Sequence, residues 1–240
     1  MARTAISGFA AVLLIVSGAS TLAQSGPPAS VKQGEASEHH MNAAEQHGYH
    51  HAFGDAEAWA KRFDDPARDV WQKPDEILDA LQLPETARVA DIGAGTGYFS
   101  ARIARRVPQG RVFAVDIEPD MIRYLGERKH REHLHVLEPI QASADNPNLP
   151  EPVDLVLLVD TYHHISDRVA YFSRLKSALR PGGRLAIVDF RIDAQEGPPV
   201  EHRIPPERVT AELEQAGYAL VATHGFLPRQ YFLVFQNKMP

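Results

Sequence analysis

The chain has 240 residues, 44% of them hydrophobic, which is enough for one α/β domain with a full core. Its formal net charge of −6 and pI near 6.0 argue against an electrostatic nucleic-acid binder. The lack of cysteine excludes disulfides, Cys-ligated metal sites and thiol catalysis, and it is compatible with export.

Residues 1–23 read as a secretory signal. Arg3 supplies a short positive region, Ala5 to Val16 an apolar run, and Thr21-Leu22-Ala23 the small residues of a cleavage point. The run is shorter than the roughly 20 residues of a membrane span. The expectation is a periplasmic or secreted protein with no stable membrane insertion after cleavage. Residues 24–52 are rich in Gly, Pro, Ser, Glu and Gln without apolar periodicity, the composition of a flexible linker. His39, His40, His47, His50 and His51 fall within it, and their spacing matches no structural zinc site. A solvated tail is expected there, not a dedicated metal centre.

The folded domain is expected over residues 53–240. Residues 53–83 carry a helical pattern divided by Pro66 and Pro74, with Trp59, Phe63, Val70, Trp71, Ile77, Leu78 and Leu81 as buried positions. From residue 88 onward strands and helices alternate, the signature of parallel βαβ units. Strands are expected at 88–92, 112–115, 135–137, 153–159 and 185–188. Helices are expected at 97–107, 118–129, 166–179 and 206–216, with a tight turn at Pro181-Gly-Gly183. Residues 219–223 and 231–235 close the sheet as an antiparallel pair. Strand 153–159 is almost wholly apolar, as a central strand covered on both faces should be.

The stretch from Val89 to Ser100 organises the rest. A short apolar strand runs into three glycines on alternate positions, Gly93, Gly95 and Gly97, and then into a helix. Glycine permits a sharp turn with positive φ and lets a ligand lie against main-chain N–H groups at the helix N-terminus. Asp91 adds a carboxylate at the mouth of the same turn. In an open parallel sheet the crevice beyond the strands' carboxyl ends is where small ligands bind. A second cluster, Asp160-Thr-Tyr-His-His164, follows the fourth strand on that side. Either His163 or His164 could take a proton from a hydroxyl or an activated carbon, with His163 ahead because it borders the crevice. Two adjacent histidines at a helix entry also serve as capping and packing groups.

Three features act together: G-x-G-x-G spacing in place of the dinucleotide G-x-G-x-x-G, Asp116 ending the second strand, and the Leu179-Arg-Pro-Gly-Gly-Arg-Leu185 turn. Residues 70–235 thereby resemble the class I S-adenosylmethionine-dependent methyltransferases, closest in flavour to the ubiquinone/menaquinone-type enzymes. The spacing disfavours a nicotinamide-dependent oxidoreductase. The resemblance implies a Rossmann-like, doubly wound seven-stranded sheet in the order 3-2-1-4-5-7-6, with strand seven antiparallel and helices on both faces. It implies S-adenosylmethionine as cofactor and a small-molecule acceptor. Asp91, Gly93, Ala94, Gly95 and Gly97 would surround the cofactor's methionine end. Asp116 would accept the ribose hydroxyls, Ile117 would pack on the adenine and Asp145 would hold its amino group. Asp160 would lie near the sulfonium, and Tyr162 could close over the methyl group. The Asn-Pro-Pro-Tyr signature of amino-group methylators is replaced by Asp160-Thr-Tyr-His163. Asp160 and Asp189 occupy the strand ends that hold Mg²⁺ in catechol-type enzymes, but Phe190 stands where an Asn ligand belongs, so a metal is disfavoured. The alternative of a different class is an exported ligand- or metal-binding protein that keeps the fold without turnover.

Overall fold

The computed structural model describes residues 55–238. The expected signal, the His-rich linker and Phe53 lie outside the described residues. Among the described residues, no helix is long and apolar enough to cross a membrane.

Seven strands form one sheet in the order β3-β2-β1-β4-β5-β7-β6. They are β1 (Arg88–Ile92), β2 (Arg111–Asp116), β3 (Leu137–Gln141), β4 (Val153–Val159), β5 (Leu179–Phe190), β6 (Tyr218–His224) and β7 (Gln230–Asn237). The first five are parallel, and β7 runs antiparallel to both β5 and β6. The helices are α1 (Ala56–Phe63), α2 (Arg68–Gln72), α3 (Pro74–Leu81), α4 (Tyr98–Arg106), α5 (Pro119–Arg131), α6 (Arg168–Leu175) and α7 (Pro206–Gln215). Order, direction and the positions of β1 and β4 match the sequence-based expectation.

Successive strand residues point to opposite faces, so an all-apolar strand feeds two cores. Leu155 and Leu157 join Ile77, Leu81, Phe99, Ile103 and Leu125 of α3, α4 and α5 on one face. Val156 and Leu158 join Phe172, Leu175, Val209 and Leu213 of α6 and α7 on the other. Full burial of each such side chain contributes about 1.5–3 kcal/mol.

Four local expectations need correction. The third strand begins at Leu137, not at residue 135. His133, at φ 55°, starts a turn that occupies the earlier residues, and Leu137 N–H donates to the Leu134 carbonyl at 3.1 Å. Pro139 masked the true strand, yet β3 is an edge that pairs only with β2, where a missing N–H is tolerated. The helix expected to reach residue 179 stops at Leu175 and tightens into a 3-10 turn over Lys176–Ala178. Pro181-Gly-Gly183 is not a separate turn but a bulge within β5. Leu179 pairs with Val153 and Arg184 with Leu155, and Gly182 takes φ 76° in between. Finally, Val70 is 79% exposed. α2 is only five residues long and turns Gln72 inward, which leaves Val70 on the outer face, while Trp59, Phe63 and Trp71 are half-buried.

Candidate active site

The glycine turn is built as the spacing requires. Gly93, Gly95 and Gly97 take φ values of 76°, 54° and 88°, a left-handed region that side chains rarely adopt. A Cβ on Gly93 would lie 2.3 Å from the Thr161 hydroxyl, so the turn and the end of β4 touch. The Gly93 and Ala94 N–H groups donate to the Val115 carbonyl at 2.8 and 3.0 Å, which ties the turn to β2.

Asp116 closes that corner. Its carboxylate accepts from Gly95 N–H at 2.7 Å and from Glu118 N–H at 3.0 Å. Burial pushes its carboxyl up, against the pull of those N–H groups. Each oxygen keeps a further lone pair that could receive a hydroxyl. The adjoining Ile117 is 44% exposed, an apolar side chain beside an acidic one. Asp91 is 3% exposed and accepts from the Ser100 hydroxyl at 2.5 Å. Burial pushes it up to about 6, with Ser100 opposing and Asp116 adding to the rise. Asp145 lies exposed in the loop after β3, where it accepts from the Ser143 hydroxyl at 2.9 Å. That loop starts beside Asp116, since Ala142 N–H donates to the Asp116 carbonyl at 2.9 Å.

Beyond β4, Asp160 takes φ 54° and leads into a 3-10 turn over Tyr162–His164. The two aromatic candidates there face different ways. Tyr162 is fully buried, stacks on Phe172 at 5.3 Å and donates to Glu212 Oε2 at 2.7 Å. It braces the turn against α6 and α7, and this replaces the expectation that it closes over a transferred group. His163 turns its Nδ1 to both oxygens of Asp189, at 2.9 and 3.0 Å. A carboxylate only accepts, so Nδ1 carries the proton and Nε2 is left as the basic nitrogen. Asp189 is fixed in turn by Phe190 N–H at 2.8 Å. Burial alone would push the His163 imidazole down, but Asp189 and then Asp160 carry it above its ordinary value. The His164 ring lies 4.1 Å from that of His163.

A closed ring of side chains, not foreseen from the sequence, covers this corner. Arg68 Nη2 reaches Asp160 Oδ2 at 3.4 Å and Arg68 Nε donates to Gln72 Oε1 at 3.2 Å. Gln72 Nε2 donates to Gln230 Oε1 at 2.6 Å, and Gln230 Nε2 donates to Asp160 Oδ1 at 2.5 Å. α2 is thus pinned across the ends of β4 and β7. The only sequence signal was a pair of polar residues four apart on one helix, which is too common to single out. Burial pushes the Asp160 carboxyl up to about 7; Arg68 opposes this and Asp189 reinforces it. Asp160 and Asp189 are therefore occupied by Gln230, Arg68 and His163.

These groups fit the cofactor that the resemblance implies. The crevice edge carries carboxylates for an ammonium, a sulfonium and a diol, and an exposed apolar side chain for a flat ring, while the Gly93, Ala94 and Gly95 N–H groups already donate to Val115 and Asp116. Residues 89–183 match the family described as "Methyltransferase domain". An uncharacterized methyltransferase of Mycobacterium tuberculosis is 37% identical over 116 residues, covering 48% of this chain and 57% of that protein. A trans-aconitate 2-methyltransferase of Rhodopseudomonas palustris is 34% identical over 136 residues, covering 55% of this chain and 48% of that protein. The chain thus spans about half the length of the curated relatives it matches. A solved S-adenosylmethionine-dependent methyltransferase from Aquifex aeolicus is 26% identical, with a TM-score of 0.69, over 74% of this chain and 96% of that one. Residues 89–183 are thus similar to a methyltransferase domain, and the sheet has the Rossmann-like fold of the solved S-adenosylmethionine-dependent methyltransferase.

Proposed function

We propose that the protein is an S-adenosylmethionine-dependent methyltransferase that acts on a hydroxyl of a small molecule, with His163 as general base. The observation that carries the acceptor type is the His163–Asp189 pair, in which the carboxylate holds Nδ1–H and makes Nε2 the basic nitrogen. Supporting an oxygen acceptor, similar proteins include a malonyl-[acyl-carrier protein] O-methyltransferase and an erythromycin 3''-O-methyltransferase. The non-turnover alternative draws no support from relatives, which are named as methyltransferases.

Asp91, Gly93, Ala94, Gly95 and Gly97 hold the methionine end of the cofactor in this reading. Asp116 takes the ribose hydroxyls, with Ile117 and Asp145 at the adenine. Bound S-adenosylmethionine would supply an activated methyl group to the acceptor oxygen and would be left as a neutral thioether. His163 Nε2 receives the acceptor's proton in that step, and Asp189 stabilises the imidazolium. Orientation supplies much of the remaining acceleration. The composition of residues 1–23 supports export, so the reading places the mature domain outside the cytoplasm. Cell fractionation that left the protein in the cytoplasm would remove that part alone.

The test is calorimetry with S-adenosylhomocysteine, with Asp116→Ala as the control. Micromolar binding, weakened about tenfold or more by the substitution, is expected for loss of a charge-assisted hydrogen bond. Absence of binding to the folded wild-type protein would sink the reading.

A further inference from the structure

Arg68 is positioned unusually for a residue that only fastens a helix. Its guanidinium stands at a corner rich in acid, where it acts on both Asp91 and Asp160. Three of its contacts belong to the covering segment itself or to α4. Nε reaches Gln72 at 3.2 Å, Nη1 donates to the Phe63 carbonyl at 3.1 Å, and the guanidinium carbon lies 4.2 Å from the Tyr98 ring centre. The contact to Asp160 is the long one at 3.4 Å, whereas charge-assisted N–H···O bonds normally span about 2.7–2.9 Å. By contrast, the Arg168–Glu212 pair on the opposite face closes to 2.6 Å.

Asp160 is held differently by its two partners. Gln230 fixes Oδ1 at 2.5 Å, while among the described residues Oδ2 has the distant Arg68 as its partner, and the carboxylate remains 22% exposed. One oxygen is anchored to the sheet and the other can exchange its cation. Burial pushes this carboxyl up, and Arg68 opposes the rise. A second cation arriving at Oδ2 would repel the guanidinium. Arg68 could then give up Asp160 and keep Gln72, the Phe63 carbonyl and the Tyr98 and Trp71 rings.

We propose that Arg68 is a positioning residue that senses charge at the cofactor's sulfur: it pairs with Asp160 when that position is neutral and yields Asp160 to a sulfonium. The inference rests on the proposed function and on the family resemblance, which implies a sulfonium near Asp160. Methyl transfer turns the sulfonium into a neutral thioether. Arg68 then regains Asp160, so the pair opposes only the sulfonium form and leaves binding of the spent cofactor unopposed. Arg68 therefore sets the preference between the two forms.

The experiment titrates the full chain with S-adenosylmethionine and with S-adenosylhomocysteine by calorimetry, with no acceptor present. The readout is the ratio of the two dissociation constants, in which contacts common to both ligands cancel. Arg68→Gln removes the competing charge and is expected to shift the ratio about tenfold or more toward the sulfonium form. Arg68→Lys keeps the charge and is expected to stay within about twofold of wild type. Asp160→Asn is expected to shift the ratio the opposite way, and it keeps the test decisive if Arg68→Gln does not fold. An unchanged ratio in Arg68→Gln, or equal weakening of both ligands, overturns the proposal and makes Arg68 a structural or carboxylate-binding group. Failure of wild type to bind either ligand overturns the proposed function, and this inference with it.

Discussion

Asp91, Asp116 and Asp160 end three neighbouring strands, and burial pushes the carboxyl of each above its usual range. For Asp91 the folded value is about 6 against an ordinary 3.8, so the folded state holds its proton more tightly than the unfolded state. That contribution is fully present below about pH 4 and is lost as the pH rises through 6. Asp91→Asn should therefore raise the unfolding free energy by roughly 1–3 kcal/mol at pH 8 and change it little at pH 4. Urea unfolding at the two pH values measures this. The same variant should bind S-adenosylhomocysteine more weakly, because a group kept for its charge costs stability when the site is empty. At His163, the neighbouring carboxylates raise the imidazole, so the basic form appears later in the titration. Turnover should climb with pH through an apparent pKa above the usual value of about 6.5. His163→Gln should lower kcat by about 10²–10⁴-fold with S-adenosylhomocysteine affinity retained. A pH-independent kcat in wild type, with chemistry rate-limiting, would argue for an acceptor that needs no base.

At the scale of elements, the 3-10 turn that carries His163 is braced from behind. Glu212 of α7 accepts from Tyr162, from Arg168 at 2.6 and 3.0 Å, and from Arg208 at 2.9 Å. Burial alone would push Glu212 up, but Arg168, Tyr162 and Arg208 pull it down to about 2. The stabilisation is present above an ordinary value near 4.5 and disappears as the pH falls through 2. Glu212→Gln is expected to cost about 1–3 kcal/mol at pH 7, because it leaves a half-buried guanidinium without its carboxylate. The difference from wild type should shrink below pH 4, as denaturant titration at several pH values would show. A constant difference across that range would mean that shape, not charge, holds the brace. Tyr162 is the residue on which pattern reading misjudged direction. Its place beside two histidines suggested the crevice, but in a turn this tight adjacent side chains leave on opposite sides. The apolar ring followed the core, and the imidazole followed the carboxylate.

Across the whole molecule, the N-terminal helices are fastened over the sheet's carboxyl edge from two sides. The Ala56 N–H donates to Asp120 at 2.6 Å and Arg123 pairs with Glu57 at 2.8 Å, both on α5. On the other side are the Arg68–Gln72–Gln230–Asp160 ring and the hydrogen bond from the Tyr98 hydroxyl to Asp69. A ligand under this cover would touch β1, β2, β4 and the covering helices together, so binding should stabilise one cooperative unit. At a hundred times its dissociation constant, S-adenosylhomocysteine should add about 2.7 kcal/mol. For a domain of this size that raises Tm by roughly 5–10 °C in a thermal scan. A shift confined to one of two separate transitions would show that the cover and the sheet unfold independently.

The glycine turn, the alternation of strands and helices and the closing antiparallel pair were legible in the residues alone, whereas the sheet order came from the family resemblance. Period-2 burial, all-apolar central strands and glycines at positive φ are local demands, and local sequence satisfies them. The third strand and the β5 bulge were less legible, because Pro139 and Pro181-Gly-Gly183 look like interruptions until their edge position or partner strand is known. Asp189 was visible only as a strand-end acid, and its role as the partner of His163 needs β4 and β5 side by side. Arg68, Gln72 and Gln230 carried no signal, since a bond between residues 158 positions apart exists only once the chain has closed on itself. Sequence by itself determined the alternating α/β class and the glycine crevice, because both follow from patterns within a few residues. Tertiary structure alone decided which side chains face that crevice and which charges share it, because those depend on distances between segments that sequence separates.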